Sequence, residues 1–211
     1  MSDNIVICNK NCSAGCNHCP YSMECMVRDD ALPESLYTIP ESLYTINDIK
    51  SDFIILSGGE PFELDYDLLH KYTCMCLICK KYFRIATGGH IYIQPYLKLL
   101  KSNPFFLGIQ IGTDVISEIR NLDSKKYKQK WVRNIECMKK YSVPYSVTIT
   151  LSERFDLAEV LALICIATPE FILVNFENRK KYENTFQLNM IRDFFSGCEI
   201  KYGYTHQSLH Q

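Results

Sequence analysis

A chain of 211 residues that is 47% hydrophobic and 22% charged can build one ordinary core and is short for two. Its formal net charge of -1 offers no basic field for nucleic acid or an anionic membrane. Eleven cysteines is an odd count, and Asp3, Asn4, Asn9 and Lys10 interrupt residues 1–11, so neither a secretory signal nor a disulfide framework is expected. The longest apolar run, residues 161–168, is too short to span a bilayer. The expectation is a cytoplasmic protein whose thiols stay reduced, some as metal or cluster ligands and the rest as small buried hydrophobes.

In chain order, residues 5–8, 53–57, 83–87, 106–111, 145–151 and 171–176 read as strands, being short runs rich in Ile, Val, Phe and Tyr. Amphipathic stretches separate them. The clearest carries Tyr127, Trp131, Ile135 and Met138 at helical spacing, with Lys126, Lys130, Arg133 and Lys140 on other faces. Pro144 and Pro169 mark passages from helix to strand. From the second strand onward this is a βαβ pattern, which predicts an α/β fold: a partial (βα)6 TIM-type barrel with parallel strands. Residues 177–211 suffice for one more helix and a short strand. Between the first two strands, residues 33–39 read Pro-Glu-Ser-Leu-Tyr-Thr-Ile and residues 40–46 repeat them without change. Two copies of so short a unit cannot stack a core, so a tandem duplication in a surface loop or short helix is expected.

Directly after the first strand stands Cys12-Ser-Ala-Gly-Cys16-Asn-His-Cys19. Three soft thiolates in eight residues suit iron–sulfur or zinc, and three rather than four leave one iron of a cubane open to another ligand. The second strand ends in Ser57-Gly58-Gly59-Glu60-Pro61. There the glycines permit close backbone approach, and Glu60 offers a carboxylate to an ammonium group, at the strand end where α/β sheets bind ligands.

Together, in this order, the two motifs resemble those of the radical S-adenosylmethionine (SAM) superfamily. Ala86-Thr87-Gly88-Gly89 resembles its third-strand turn. Residues 111–114 with Ile119-Arg120 resemble its fourth strand, most closely in the peptide-modifying and molybdopterin-type branches. His18, Gly88 and Gly112 depart from the family's usual aromatic residue, Asn and Ser. The resemblance implies a single core domain over residues 1–211, with a cluster loop at 9–25, the duplicated segment at 33–46 and a C-terminal extension at 177–211. It implies a 4Fe-4S cluster on Cys12, Cys16 and Cys19, and SAM chelated to the open iron. Gly58, Gly59 and Glu60 would hold the methionyl amine, Arg120 its carboxylate, and Thr87 and Asp114 the ribose side. One electron from a donor such as flavodoxin or ferredoxin would release a 5′-deoxyadenosyl radical that abstracts hydrogen from a substrate, expected to be a ribosomally made peptide. Alternatives are an activating protein for a glycyl-radical enzyme, a small-molecule radical SAM enzyme, or a structural zinc or electron-transfer iron–sulfur protein. For a zinc site, His18 or Cys25 would be the fourth ligand.

Of the other cysteines, Cys25 is the candidate for a substrate-handling or proton-handling thiol. Cys74, Cys76 and Cys79 lie on a helical pattern that turns Cys74 away from the other two, so core packing is expected. Cys8, Cys137, Cys165 and Cys198 read as packing residues, and His90 as an exposed loop histidine.

Overall fold

The computed structural model describes residues 4–9, 11–16, 37–38, 45–113, 123–152, 155–176 and 185–202. Their strands form one eight-stranded sheet, parallel throughout, in the order β2-β1-β3-β4-β5-β6-β7-β8. In chain order the elements are β1 (Asn4–Asn9), β2 (Tyr37–Thr38), α1 (Thr45–Asp48), β3 (Phe53–Gly58), α2 (Tyr66–Ile78) and β4 (Tyr82–Thr87). There follow α3 (Gln94–Ser102), β5 (Phe106–Gly112), α4 (Ser124–Lys140), β6 (Tyr145–Leu151) and α5 (Leu157–Ala167). β7 (Phe171–Phe176), α6 (Phe186–Phe194) and β8 (Glu199–Tyr202) complete the order. All six expected strands are present, and the C-terminal stretch supplies the expected helix and short strand. The fold is an α/β partial TIM-type barrel.

Strand alternation divides the sheet into two unlike faces. On the outer face Ile54, Leu56, Phe83, Ile85, Val147 and Ile149 are fully buried and pack in one cluster with Leu97, Trp131, Leu163 and Ile191 from the helices. The inner face carries polar side chains at alternate positions, among them Gln110, Ser146, Thr148 and Asn175. The sheet curls. Across its inner side the Arg84 guanidinium carbon of β4 stands 4.9 Å from the centre of the Phe171 ring of β7, with two strands between them. Asp123 and Asp156 cap α4 and α5, their carboxylates accepting the peptide N–H of Lys126 and Glu159 at 2.8 and 3.1 Å.

One sequence expectation changes in part. β2 belongs to the first copy of the duplicated heptapeptide, and its Tyr37 and Thr38 pair with Ile5 and Val6 of β1. In the second copy the same Thr-Ile pair opens α1, and Ile46 is fully buried in the core. The described end of the second copy is thus the expected short helix, while Tyr37 and Thr38 of the first copy add an edge strand to the sheet. The expectation for Cys76 holds: α2 is continuous, Cys76 is fully buried, and Cys74 and Cys79 are half-buried. No helix among the described residues is long and apolar enough to cross a membrane.

Burial decides which thiols can ionise. It pushes the Cys8 thiol up to about 12, while its Sγ–H points to the Ser57 carbonyl at 3.2 Å, and it pushes Cys76 up as well. At pH 8 about one Cys8 in ten thousand is then a thiolate. Iodoacetamide at that pH should therefore label the exposed Cys165 and spare Cys8 and Cys76 until denaturant is added, as read by peptide mass spectrometry.

Candidate functional site

The carboxyl ends of β1, β3 and β4 are tied together by a continuous hydrogen-bond network. Past the β1–β3 register shift at Asn9, pairing continues as loop contacts: the Gly59 N–H donates to the Asn9 carbonyl at 2.5 Å and the Glu60 N–H to the Asn11 carbonyl at 2.9 Å. The Asn9 side chain adds a 2.7 Å bond from Nδ2 to the Glu60 carbonyl, and its Oδ1 accepts from the Asn11 N–H at 3.0 Å. Both glycines are needed for this approach. Gly58 has φ +108°, and a Cβ there would stand 2.4 Å from the Asn9 carbonyl oxygen. A Cβ on Gly59 would stand 2.0 Å from that of Asn11.

Glu60 turns its side chain inward and is 1% exposed. Its Oε1 accepts from the Phe62 N–H at 3.1 Å, which caps a single 3-10 turn over Pro61–Glu63. The Thr87 hydroxyl lies 2.9 Å from both carboxylate oxygens, and the Gly88 N–H donates to Oε2 at 3.0 Å. Burial raises the Glu60 pKa, while the nearby His90 and these donors pull the other way. The β4 loop is held in turn by α4. Asn134 is fully buried on the helix's apolar stripe, gives Nδ2 hydrogen bonds to the carbonyls of Gly89 (3.0 Å) and Ile91 (2.7 Å), and accepts from the Ile93 N–H at 3.1 Å. Trp131 Nε1 donates to the Gly112 carbonyl at 2.7 Å, and the Tyr127 hydroxyl donates to the Gly88 carbonyl.

His90 corrects the sequence reading. It is 1% exposed rather than an exposed loop residue, because the loop it follows is pinned onto α4. Its Nε2 lies 3.0 Å from Glu63 Oε1, and its Nδ1 lies 3.5 Å from Glu60 Oε2. Glu63 reaches back to the cysteine loop and accepts from the Ser13 N–H at 2.9 and 3.2 Å and from the Ser13 hydroxyl. Partial burial raises the Glu63 pKa, but the Ser13 bonds and His90 outweigh it and the net shift is downward. Ligand atoms of Cys12, Glu63 and His90 all lie within 4.8 Å of one another.

The structure thus brings Cys12, Gly58, Gly59, Glu60 and Thr87 to one end of the sheet, with Cys16 half-buried on the same loop. Cys19, Cys25, Asp114 and Arg120 lie outside the described residues. Glu63 and His90 were not anticipated. Their signal was position alone: each follows the carboxyl end of a parallel strand, where ligand sites form.

No family model and no curated protein matches the sequence. Solved structures match it in shape. SuiB of Streptococcus suis bound to S-adenosylmethionine superposes with a TM-score of 0.65 at 8% identity, over 96% of this chain and 50% of SuiB. The complex of SuiB with its precursor peptide SuiA gives 0.64 at 10% identity, over 96% and 49%. Native anSMEcpe with bound AdoMet gives 0.65 at 16% identity, over 95% and 63%. SuiB and anSME are radical SAM enzymes, and the fold of this chain is theirs. The chain spans about half the length of SuiB.

Two substitutions test the network. Gly59→Ala forces the two loops apart and should lower unfolding stability by about 1–3 kcal/mol in a denaturant titration. Asn134→Ala removes three buried hydrogen bonds and strands their backbone partners, so a loss of at least about 2 kcal/mol is expected.

Proposed function

We propose that this chain is a radical SAM enzyme, with a 4Fe-4S cluster on Cys12, Cys16 and Cys19 beside a bound S-adenosylmethionine. One observation carries the reading: the cysteine loop, the Gly-Gly-Glu turn and Thr87 are joined by direct hydrogen bonds at the carboxyl end of a parallel barrel sheet. The donors suit a cluster. Cys12 and Cys16 are half-buried on a loop, within reach of a metal or cluster, whereas Cys8 and Cys76 are buried in the core. When bound, the reduced cluster and SAM supply one-electron cleavage of the S–C5′ bond and a carbon radical that abstracts hydrogen.

The chain's own residues do the positioning. Gly58 and Gly59 let the SAM-side loop lie against the cluster loop without intervening side chains. Glu60 is held in one orientation by Thr87, Gly88 and Phe62, so its negative field toward the methionyl ammonium is preorganised. Asp114 and Arg120 are assigned to the ribose side and the methionyl carboxylate, and Cys25 to a substrate-handling or proton-handling role. A peptide substrate is proposed because SuiB was solved with its precursor peptide and because the open sheet leaves a mouth that an extended chain can cover. A flavodoxin-type or ferredoxin-type electron donor and a reducing, cytoplasmic setting complete the proposal. The proximity of Cys12, Glu63 and His90 favours a second reading, a single zinc ion in place of a cluster.

Metal content separates the two. Reconstituted without oxygen, the chain should hold about four irons and four sulfides per molecule and convert SAM to 5′-deoxyadenosine on reduction. The combined Cys12→Ala, Cys16→Ala and Cys19→Ala variant should do neither. Zinc without acid-labile sulfide would establish the second reading instead. Glu60→Gln should retain the cluster and weaken SAM binding by at least about tenfold; equal affinity would remove Glu60 from the site. Deuterium on the reacting substrate carbon should appear in 5′-deoxyadenosine with a peptide, and a free metabolite that serves equally well would overturn the peptide assignment.

A further inference from the structure

Glu63 and His90 belong to neither sequence motif, yet they join the two motifs physically. The peptide N–H that Glu63 holds is that of Ser13, the residue directly after Cys12, so the bond fixes the direction in which the chain leaves the first thiolate. Glu63 is itself fixed by the 3.0 Å contact with His90 Nε2. His90 is buried between Glu63 and Glu60, on a loop that Asn134 staples to α4. A chain of contacts therefore runs from the helix layer through His90 and Glu63 to Ser13 and the Cys12 thiol.

We propose that Glu63 and His90 are positioning residues for the cluster, clamping the Cys12 loop to the carboxyl ends of β3 and β4. The inference rests on the cluster assignment above. Two consequences follow from the geometry. The clamp adds to the Asn9 and Asn11 contacts that already tie this loop to the residues following β3. In addition, a carboxylate within 4.8 Å of the Cys12 sulfur adds negative charge beside the cluster. That charge disfavours uptake of an electron and holds the potential down.

Glu63→Gln and Glu63→Ala separate the two effects. Gln keeps an oxygen for Ser13 but removes the charge, and Ala removes both. The reconstituted holoprotein of each is compared with wild type for iron and sulfide content, for the cluster's midpoint potential without SAM, and for hydrogen exchange at the Ser13 amide. Both variants should have a less negative potential than wild type. Glu63→Ala should exchange the Ser13 amide at least about tenfold faster, with Glu63→Gln closer to wild type. His90→Ala should accelerate the same amide, because Glu63 loses its support. A wild-type chain that assembles no 4Fe-4S cluster overturns the family reading. A wild-type chain with its cluster, together with an unchanged potential in Glu63→Gln or unchanged Ser13 exchange in Glu63→Ala, overturns the clamp alone. If the Glu63→Ala variant does not fold, Ser13 exchange in His90→Ala decides the clamp, and an unchanged rate there overturns it.

Discussion

The buried carboxylate of Glu60 is the constraint on which the rest of the site depends. A charged group at 1% exposure is costly unless donors surround it, and here they come from three directions: the turn that follows it, the Thr87 hydroxyl and the Gly88 peptide. Satisfying it obliges the ends of β3 and β4 to meet in one geometry. Because the Glu60 backbone also bonds to Asn9 and Asn11, the same residue brings the end of β1 into register. Three strand ends that parallel pairing only places side by side become one rigid surface.

Helix α4 makes that surface permanent. Parallel strands need a crossover, and the crossover between β5 and β6 returns across the outside of the β4 and β5 ends. Its stripe of Tyr127, Trp131, Ile135 and Met138 is hydrophobic packing at first sight, yet three side chains on that face carry hydrogen-bonding atoms. Those of Tyr127, Trp131 and Asn134 reach the carbonyls of Gly88, Gly89, Ile91 and Gly112. Loop carbonyls that would otherwise need water are satisfied inside the fold. Site residues borne on loops thereby gain the stiffness of a helix.

The two faces of the sheet divide the labour. The outer face is aliphatic and aromatic and is sealed by helices, which supplies stability. The inner face places uncharged hydrogen-bonding groups, Gln110, Ser146, Thr148 and Asn175, on neighbouring strands in register, as in the pairing of Gln110 with Ser146. Among the described residues β2 and β8 are the edges of the sheet.

Six of the strands, the parallel βαβ pattern, the cysteine triplet and the Gly-Gly-Glu turn were legible in the sequence, whereas strand β2 was not. Each legible feature rests on local chemistry: apolar periodicity and residue types at short spacing. The duplicated heptapeptide marks where that legibility ends. Thr38 pairs with β1 in strand β2 of the first copy, while its counterpart Thr45 begins α1 in the second, where Ile46 is fully buried. The heptapeptide is the same in both, but Pro40 follows the first copy and bars a helix there, while Asn47 and Asp48 let one run on from the second. Glu63 and His90 show the same limit at the site. They are 27 residues apart in sequence, and Ser13 is 50 from Glu63, with no spacing rule to link them. They meet because parallel pairing brings the carboxyl ends of β1, β3 and β4 together, and the desolvated Glu60 then fixes how the loops leave them.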